Sequence, residues 1–260
     1  MPDITRDNVR LTYDEAGSGG PPMLFVHGFG GDARHFAPQM EHFKRSRRVV
    51  ALDRRGHGRS DKPPAPYTIP AIAEEVLWTA RELGLHKPVL VVHSMGVLGL
   101  ELAARNPGFL SALVLLDTPL FEPPPVRRMF EELGAGLGSP GYREVIAGVC
   151  DRLIFLPSDD KQRRAWLHEG ILATPQAVLA DTWAGFLAYD TAPAAARCQL
   201  PLLYLGGVMP VDENRLRQLC PQVVLGRTVG AGHLHQLEVP EQVNPMIEKF
   251  LHIQLASLQL

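Results

Sequence analysis

Four short stretches of the chain are apolar without a break: Met23–Val26, Val49–Leu52, Val89–Val92 and Leu113–Leu116. Alternation would mark strands with one wet face. Unbroken runs of this length mark strands buried on both faces of a parallel sheet. Amphipathic segments with helical spacing separate them, at roughly 34–45, 69–83 and 95–106. The order β-α-β-α-β-α-β predicts an α/β domain with a mostly parallel central sheet, helices on both faces and right-handed crossovers. Ahead of it, Val9-Arg10-Leu11-Thr12-Tyr13 alternates and predicts an antiparallel edge strand.

The texture changes after Asp117. Phe121-Glu122-Pro123-Pro124-Pro125 continues neither a helix nor a central strand. The next segments read as helices only: Val126–Leu137, Tyr142–Phe155, Asp159–Leu172 and Pro175–Leu187. Strand texture returns at Pro201–Leu205 and Gln222–Leu225, and a last helix runs from Pro240 to about His252. The pattern predicts a core made of residues 1–118 and 199–260, interrupted by an inserted helical cap, or lid, at 119–198. Ile253 to Leu260, with Leu255, Leu258 and Leu260, is expected to pack back on the body or to fray.

Composition narrows the class without naming a function. The 260 residues carry 26 basic and 28 acidic side chains, a net charge of −2, and 45% of them are hydrophobic. That excludes a disordered chain and leaves no electrostatic footprint for nucleic acid. Lys44, Arg45, Arg47 and Arg48 read as a solvated helix end. No apolar stretch is long enough for a membrane helix, and the start, Met1-Pro2-Asp3-Ile4-Thr5-Arg6-Asp7, lacks the apolar region of a secretory signal. Cys150, Cys198 and Cys220 lack metal-ligand spacing and read as free buried thiols. The expectation is a cytoplasmic protein without metal or cofactor, without nucleic-acid or membrane partners, and monomeric or homodimeric.

Three motifs carry candidate chemistry. In Val91-Val92-His93-Ser94-Met95-Gly96 a buried strand runs straight into a serine and then a helix, the geometry of a nucleophile elbow. Gly96 supplies the small residue that the crowded turn needs, but Val92 departs from G-x-S-x-G. His27-Gly28-Phe29-Gly30-Gly31 follows another strand, where glycines let backbone approach a ligand; read alone it is a glycine-rich turn. The Phe29 amide there and that of Met95 are candidates for an oxyanion hole. Gly230-Ala231-Gly232-His233-Leu234-His235 lies beyond the last strand, where a histidine can reach Ser94 as general base; read alone it is a surface loop.

Together, and in this order with Leu52-Asp53-Arg54-Arg55-Gly56-His57-Gly58-Arg59-Ser60-Asp61, these motifs resemble the α/β-hydrolase superfamily along essentially the whole chain. The resemblance implies Ser94 as nucleophile, His233 as base, and the amides of Phe29 and Met95 as oxyanion donors, with His27 and Gly28 beside the substrate. The Asp53–Ser60 loop is structural in the family. Relatives most often carry the acid in the turn after Pro201–Leu205, but Met209 stands there; Asp212, a few residues on, also reads as a helix cap. A second family solution puts the acid at the end of the preceding strand, where Asp117 stands. Val92, an apolar residue also found in dehalogenase-like relatives that use this earlier position, favours Asp117 over the alternative Asp212.

Relatives that open epoxides or displace halide use an aspartate where this chain has Ser94. A serine with histidine and an acid implies acyl transfer. The expected activity is therefore hydrolysis of a carboxylic ester, lactone or thioester of a hydrophobic small molecule through an acyl-enzyme. Two alternatives stay open: a ligand sensor with slow hydrolysis, suggested by His27–Asp32, and a C–C bond hydrolase or lyase on the same triad. A hydroxynitrile lyase would add a polar cap group such as a lysine, and the cap's lysine is Lys161. Phe121, Met129, Phe130, Trp166, Trp183, Phe186 and Tyr189 are the large cap side chains available either to line a substrate pocket or to form the cap's own core.

Overall fold

A computed structural model describes residues 2–64 and 66–256. Eight strands form one sheet in the order β1-β2-β4-β3-β5-β6-β7-β8. They are β1 (Asp3–Arg6), β2 (Val9–Ala16), β3 (Met23–Val26), β4 (Val49–Leu52), β5 (Val89–His93), β6 (Ala112–Leu116), β7 (Leu202–Gly206) and β8 (Val223–Arg227). The pairs β1–β2 and β2–β4 are antiparallel; all others are parallel. The four unbroken apolar runs are β3, β4, β5 and β6, the consecutive strands at the centre of the sheet. Their alternate residues feed two separate cores: Leu24, Val26, Leu90 and Val92 on one face, Met23, Phe25, Val89 and Val91 on the other. That is why no residue in them is polar.

Helices α1 (Ala37–Phe43) and α11 (Pro240–Ala256) cover the second face, with Phe43, Val243, Ile247 and Phe250 in its core. A 3-10 turn, Ala33–Phe36, precedes α1. On the opposite face lie α2 (Ile69–Glu82) and α3 (Val97–Arg105). Between β6 and β7 the chain forms α4 (Pro124–Leu137), α5 (Tyr142–Val149), a π-helical turn (Cys150–Ile154), α6 (Lys161–Leu172), α7 (Gln176–Leu187) and α8 (Ala192–Arg197). A bridge between Leu120 and Val211 joins the entrance of this insertion to the loop after β7. Two further short helices, α9 (Glu213–Leu219) and α10 (His235–Glu238), follow β7 and β8.

Three local features differ from the sequence reading. The helix expected over Tyr142–Phe155 ends at Val149 and unwinds into the π-helical turn. β1 was not expected, being four residues long with Ile4 alone apolar, yet Asp7 and Asn8 both sit at positive φ and close a two-residue hairpin to β2. The last helix runs four residues beyond His252, to Ala256. Leu258 and Leu260 of the expected tail, and the side chain of Leu255, lie outside the described residues; Ile253 is exposed.

β3 pairs with β4 on one side and β5 on the other, so the crossovers diverge there. Ligands of open parallel sheets bind outside the carboxyl ends of the strands at such a point. His27, Ser94 and Asp117 each follow or end a strand at that edge.

Candidate active site

Ser94 stands at φ +62°, left-handed backbone that a non-glycine residue adopts only under constraint. Its own N–H donates to Leu116 O at 2.8 Å, and the Met95 N–H closes back on His93 O at 2.6 Å. The turn is therefore pinned on both sides before α3 begins. Gly96 lets the turn approach Thr118 at the end of β6. The departure at Val92 has its compensation one turn into α3: a Cβ on Gly99 would lie 3.3 Å from Val92 Cγ2 and 2.8 Å from Leu113 Cδ1. A side chain at position 99 would crowd both.

Asp117 is fully buried, also at positive φ (+43°), and its carboxylate is held from two directions. His233 Nδ1 donates to Oδ2 at 2.8 Å. The amides of Gly207, Val208 and Met209 donate to the same carboxylate at 2.6, 3.2 and 3.1 Å. The turn after β7, where the resemblance led us to expect an acid, thus supplies N–H donors to an aspartate just past the end of β6. Burial raises the Asp117 carboxyl, but the His233 hydrogen bond and charge and the Gly207 amide outweigh it and leave it below the usual carboxylate range. Asp212 is elsewhere. It caps α9, accepting from the Arg215 N–H at 2.9 Å, the helix-cap role its sequence position also allows.

His233 lies in the loop after β8. With Nδ1 committed to Asp117, its Nε2 is left as the acceptor nitrogen. Its N–H donates to Ile154 O at 3.0 Å, and its own carbonyl accepts from His93 Nε2 at 2.9 Å. The ring packs against His93 with centroids 4.5 Å apart.

Ser94, Met95, Phe29 and His233 all line one cavity of about 860 Å³, a volume that includes its open mouth. Sheet-edge loops form its floor, and the inserted helices form its walls through Phe130, Leu133, Ile146, Trp183 and Phe186. No Asp, Glu, Lys or Arg is among the described residues that line it. Phe130, Trp183 and Phe186, expected near substrate, do line it, and they also pack on one another: Trp183 Nε1 donates to Phe130 O at 2.8 Å. The choice between pocket and cap core was therefore a false one for these three.

The other expected cap residues lie away from the cavity. Trp166 packs edge-on against His35, Tyr189 donates to Glu101 Oε2 at 2.6 Å, Phe121 and Met129 are partly buried in the packing of the insert, and Lys161 is exposed. His27 and Gly28 are corrected too: neither lines the cavity. His27 is fully buried, with Nδ1 2.8 Å from Gly28 O and Nε2 accepting the Arg54 N–H at 3.1 Å. A Cβ on Gly28 would lie 2.7 Å from Ser94 Cβ, so this glycine sets how closely the loop approaches the serine. Asp53 accepts from Ala33 N and Arg59 N at 2.7 and 3.0 Å, the structural part expected of its loop.

Sequence reasoning missed His35. It lines the cavity from the 3-10 turn, and burial pushes its imidazole down to about 4, which leaves it neutral. Its only signal is that it follows the glycine-rich loop by a few residues. Among the described residues, no group of three or more His, Cys, Asp or Glu is placed to hold a metal, and no helix is long and apolar enough to cross a membrane.

A family model described as alpha/beta hydrolase fold matches residues 21–163. The 2-(acetamidomethylene)succinate hydrolase of Mesorhizobium japonicum is 30% identical over 267 aligned residues, covering 96% of this chain and 93% of that protein. Epoxide hydrolase 3 of Mus musculus is 34% identical over 123 residues, which is 46% of this chain and only 34% of that protein's length. Among solved structures, the enol-lactonase from Burkholderia xenovorans LB400 superposes with a TM-score of 0.85 at 23% identity, over 96% of this chain and 100% of that one.

Proposed function

The chain is a hydrolase of the alpha/beta hydrolase family, and from that premise we propose that it cleaves a carboxylic ester, lactone or thioester of an uncharged, hydrophobic small molecule through an acyl-enzyme on Ser94. The observation that carries this reading is the 2.8 Å bond from His233 Nδ1 to a buried Asp117, with Ser94 and His233 on one apolar cavity. His233 Nε2 takes the proton of the Ser94 hydroxyl as its oxygen attacks the carbonyl carbon. The carbonyl oxygen becomes negative and is met by backbone N–H groups. The Phe29 N–H has no partner among the described residues, and the Met95 N–H is released from His93 O to join it. The imidazolium, stabilised by Asp117, then protonates the leaving group. Water repeats the sequence and frees the acid.

In this reading the inserted helices act as a cap that selects substrate. The Mesorhizobium relative is a hydrolase of a succinate derivative, whereas this cavity offers no cation, among its described lining residues, to hold a carboxylate. The epoxide hydrolase likeness does not extend the chemistry, since this chain presents a serine as nucleophile. Ser94→Ala is expected to abolish turnover of p-nitrophenyl butyrate while circular dichroism stays unchanged, and intact mass is expected to show an acyl adduct on the wild type alone. Undiminished turnover in that variant overturns the mechanism. A single slow turnover leaving a stable adduct points instead to a ligand sensor.

A further inference from the structure

Arg54 is the largest side chain in the molecule to be fully buried, 1% exposed, and among the described residues it has no ion-pair partner. Its neighbours in the same motif are paired: Arg55 with Glu75, Arg59 with Asp14 and Asp53. The nearby Glu75 charge offsets part of the cost of burying this guanidinium, but it makes no ion pair with it, and burial still outweighs it; the placement therefore asks for another reason. Nη2 donates to Gly28 O at 2.9 Å, while Nε and Nη1 find no partner among the described residues. The one bond that Arg54's side chain makes is thus to the carbonyl of the peptide whose N–H belongs to Phe29.

That carbonyl is held by two side chains, beside a longer bond from the Gly31 N–H at 3.4 Å. His27 Nε2 accepts the Arg54 N–H, which makes Nδ1 the protonated nitrogen, and Nδ1 donates to Gly28 O at 2.8 Å. A trans peptide points its C=O and N–H in opposite directions. Fixing Gly28 O on the Arg54 side therefore aims the Phe29 N–H away from it, toward the cavity that Phe29 lines with Ser94. A charged donor on the oxygen also draws electron density from the amide nitrogen and makes its N–H a stronger donor.

We propose that Arg54 is a positioning residue for the oxyanion hole: its guanidinium orients and polarises the Gly28–Phe29 peptide so that the Phe29 N–H binds the developing negative oxygen more tightly than it binds a neutral carbonyl. The proposal rests on the serine-hydrolase reading above. It assigns a role in rate, not in substrate affinity, to a motif that is otherwise structural.

The test compares wild type with Arg54→Met, which keeps volume and removes charge, and Arg54→Lys, which keeps charge. Arg54→Met is expected to lower kcat on p-nitrophenyl butyrate about tenfold or more, less than the loss of a whole oxyanion donor. KM should stay within about twofold, and the Kd of butylboronic acid, which forms a tetrahedral anion on the serine, should rise by a factor similar to the kcat loss. The melting temperature should not fall. Arg54→Lys should recover part of kcat near neutral pH and lose it as pH rises, because burial strips a lysine of its proton earlier than an arginine. The wild type should show no such limb near neutrality, since burial brings Arg54 only down to about 10.

Unchanged kcat and boronate affinity in Arg54→Met would overturn the proposal, as would a kcat loss that follows the melting temperature with no alkaline limb in Arg54→Lys. If Arg54→Met does not fold, that limb alone decides. Ser94→Ala separates the two levels. If it retains turnover, the serine reading itself fails; if it is inactive while both Arg54 variants behave as wild type, only the role of Arg54 fails.

Discussion

Asp117 and Asp212 both keep the chain order Ser, Asp, His, and both stand near the carboxyl end of a strand. What separates them is three-dimensional: three turn amides and His233 converge on Asp117, while Asp212 spends its oxygen on the Arg215 N–H. No spacing rule encodes that convergence. Asp117→Asn is expected to keep the fold but cut kcat by about 10⁴, the size of effect that follows when a triad carboxylate becomes an amide and the histidine takes the wrong tautomer. Asp212→Asn should leave kcat within about twofold, since asparagine is as good a helix cap as aspartate. Steady-state kinetics on both variants checks this; a large loss at Asp212 instead of Asp117 reverses the assignment. Val92 teaches the same lesson from the other side. It breaks the elbow pattern on paper, but the glycine that makes room for it, Gly99, stands seven residues later on a helix.

The strands were legible because burial on both faces leaves no polar position, and α2 was legible because Glu74, Arg81 and Glu82 stay outside its buried face, whereas α3 is buried along Val97–Ala103. The insert was legible as helices but not as a surface. Helical periodicity says that Phe130, Trp183 and Phe186 face inward; it cannot say that inward is also toward substrate. Their rings pack at centroid distances of 5.4, 5.3 and 6.2 Å, and the same three side chains form one wall of the cavity. Stability of the insert and shape of the pocket are therefore coupled. Trp183→Ala removes a side chain that is 8% exposed and takes the indole donor from Phe130 O. The expected cost is about 3–5 kcal/mol, as for other large aromatic deletions from cores. Activity should shift in the same variant toward bulkier acyl chains, with KM for p-nitrophenyl acetate rising more than kcat falls. A panel of p-nitrophenyl esters beside a urea melt measures both. Loss of stability with an unchanged chain-length profile would place Trp183 in the core only.

At the scale of the whole molecule, the sheet-edge loops gather histidines that are kept neutral. His27, His35, His57, His93 and His235 are all buried, and burial is the main cause that pulls each of their imidazoles down; His35 and His235 reach about 4. Neighbouring Arg54 adds to the fall for His27 and His57, and His233 for His93. In the unfolded chain the same side chains titrate near 6.5. Between pH 6.5 and about 4 the unfolded chain therefore binds protons that the folded one refuses, and stability must rise with pH across that window. Read downward, acidification from pH 7 to 5 should lower the melting temperature steeply, with a pH slope of the unfolding free energy that reports uptake of several protons. Asp117 adds a second, lower step. Its carboxyl is held below the ordinary 3.8, so its contribution is present above that value and disappears as the pH falls through its folded one. Urea unfolding at pH 7, 6 and 5 distinguishes this from ordinary surface titration. A flat stability over that range would mean that the buried histidines accept protons without opening the site. A steep slope would make the acid limit of the enzyme a folding limit as well as a catalytic one.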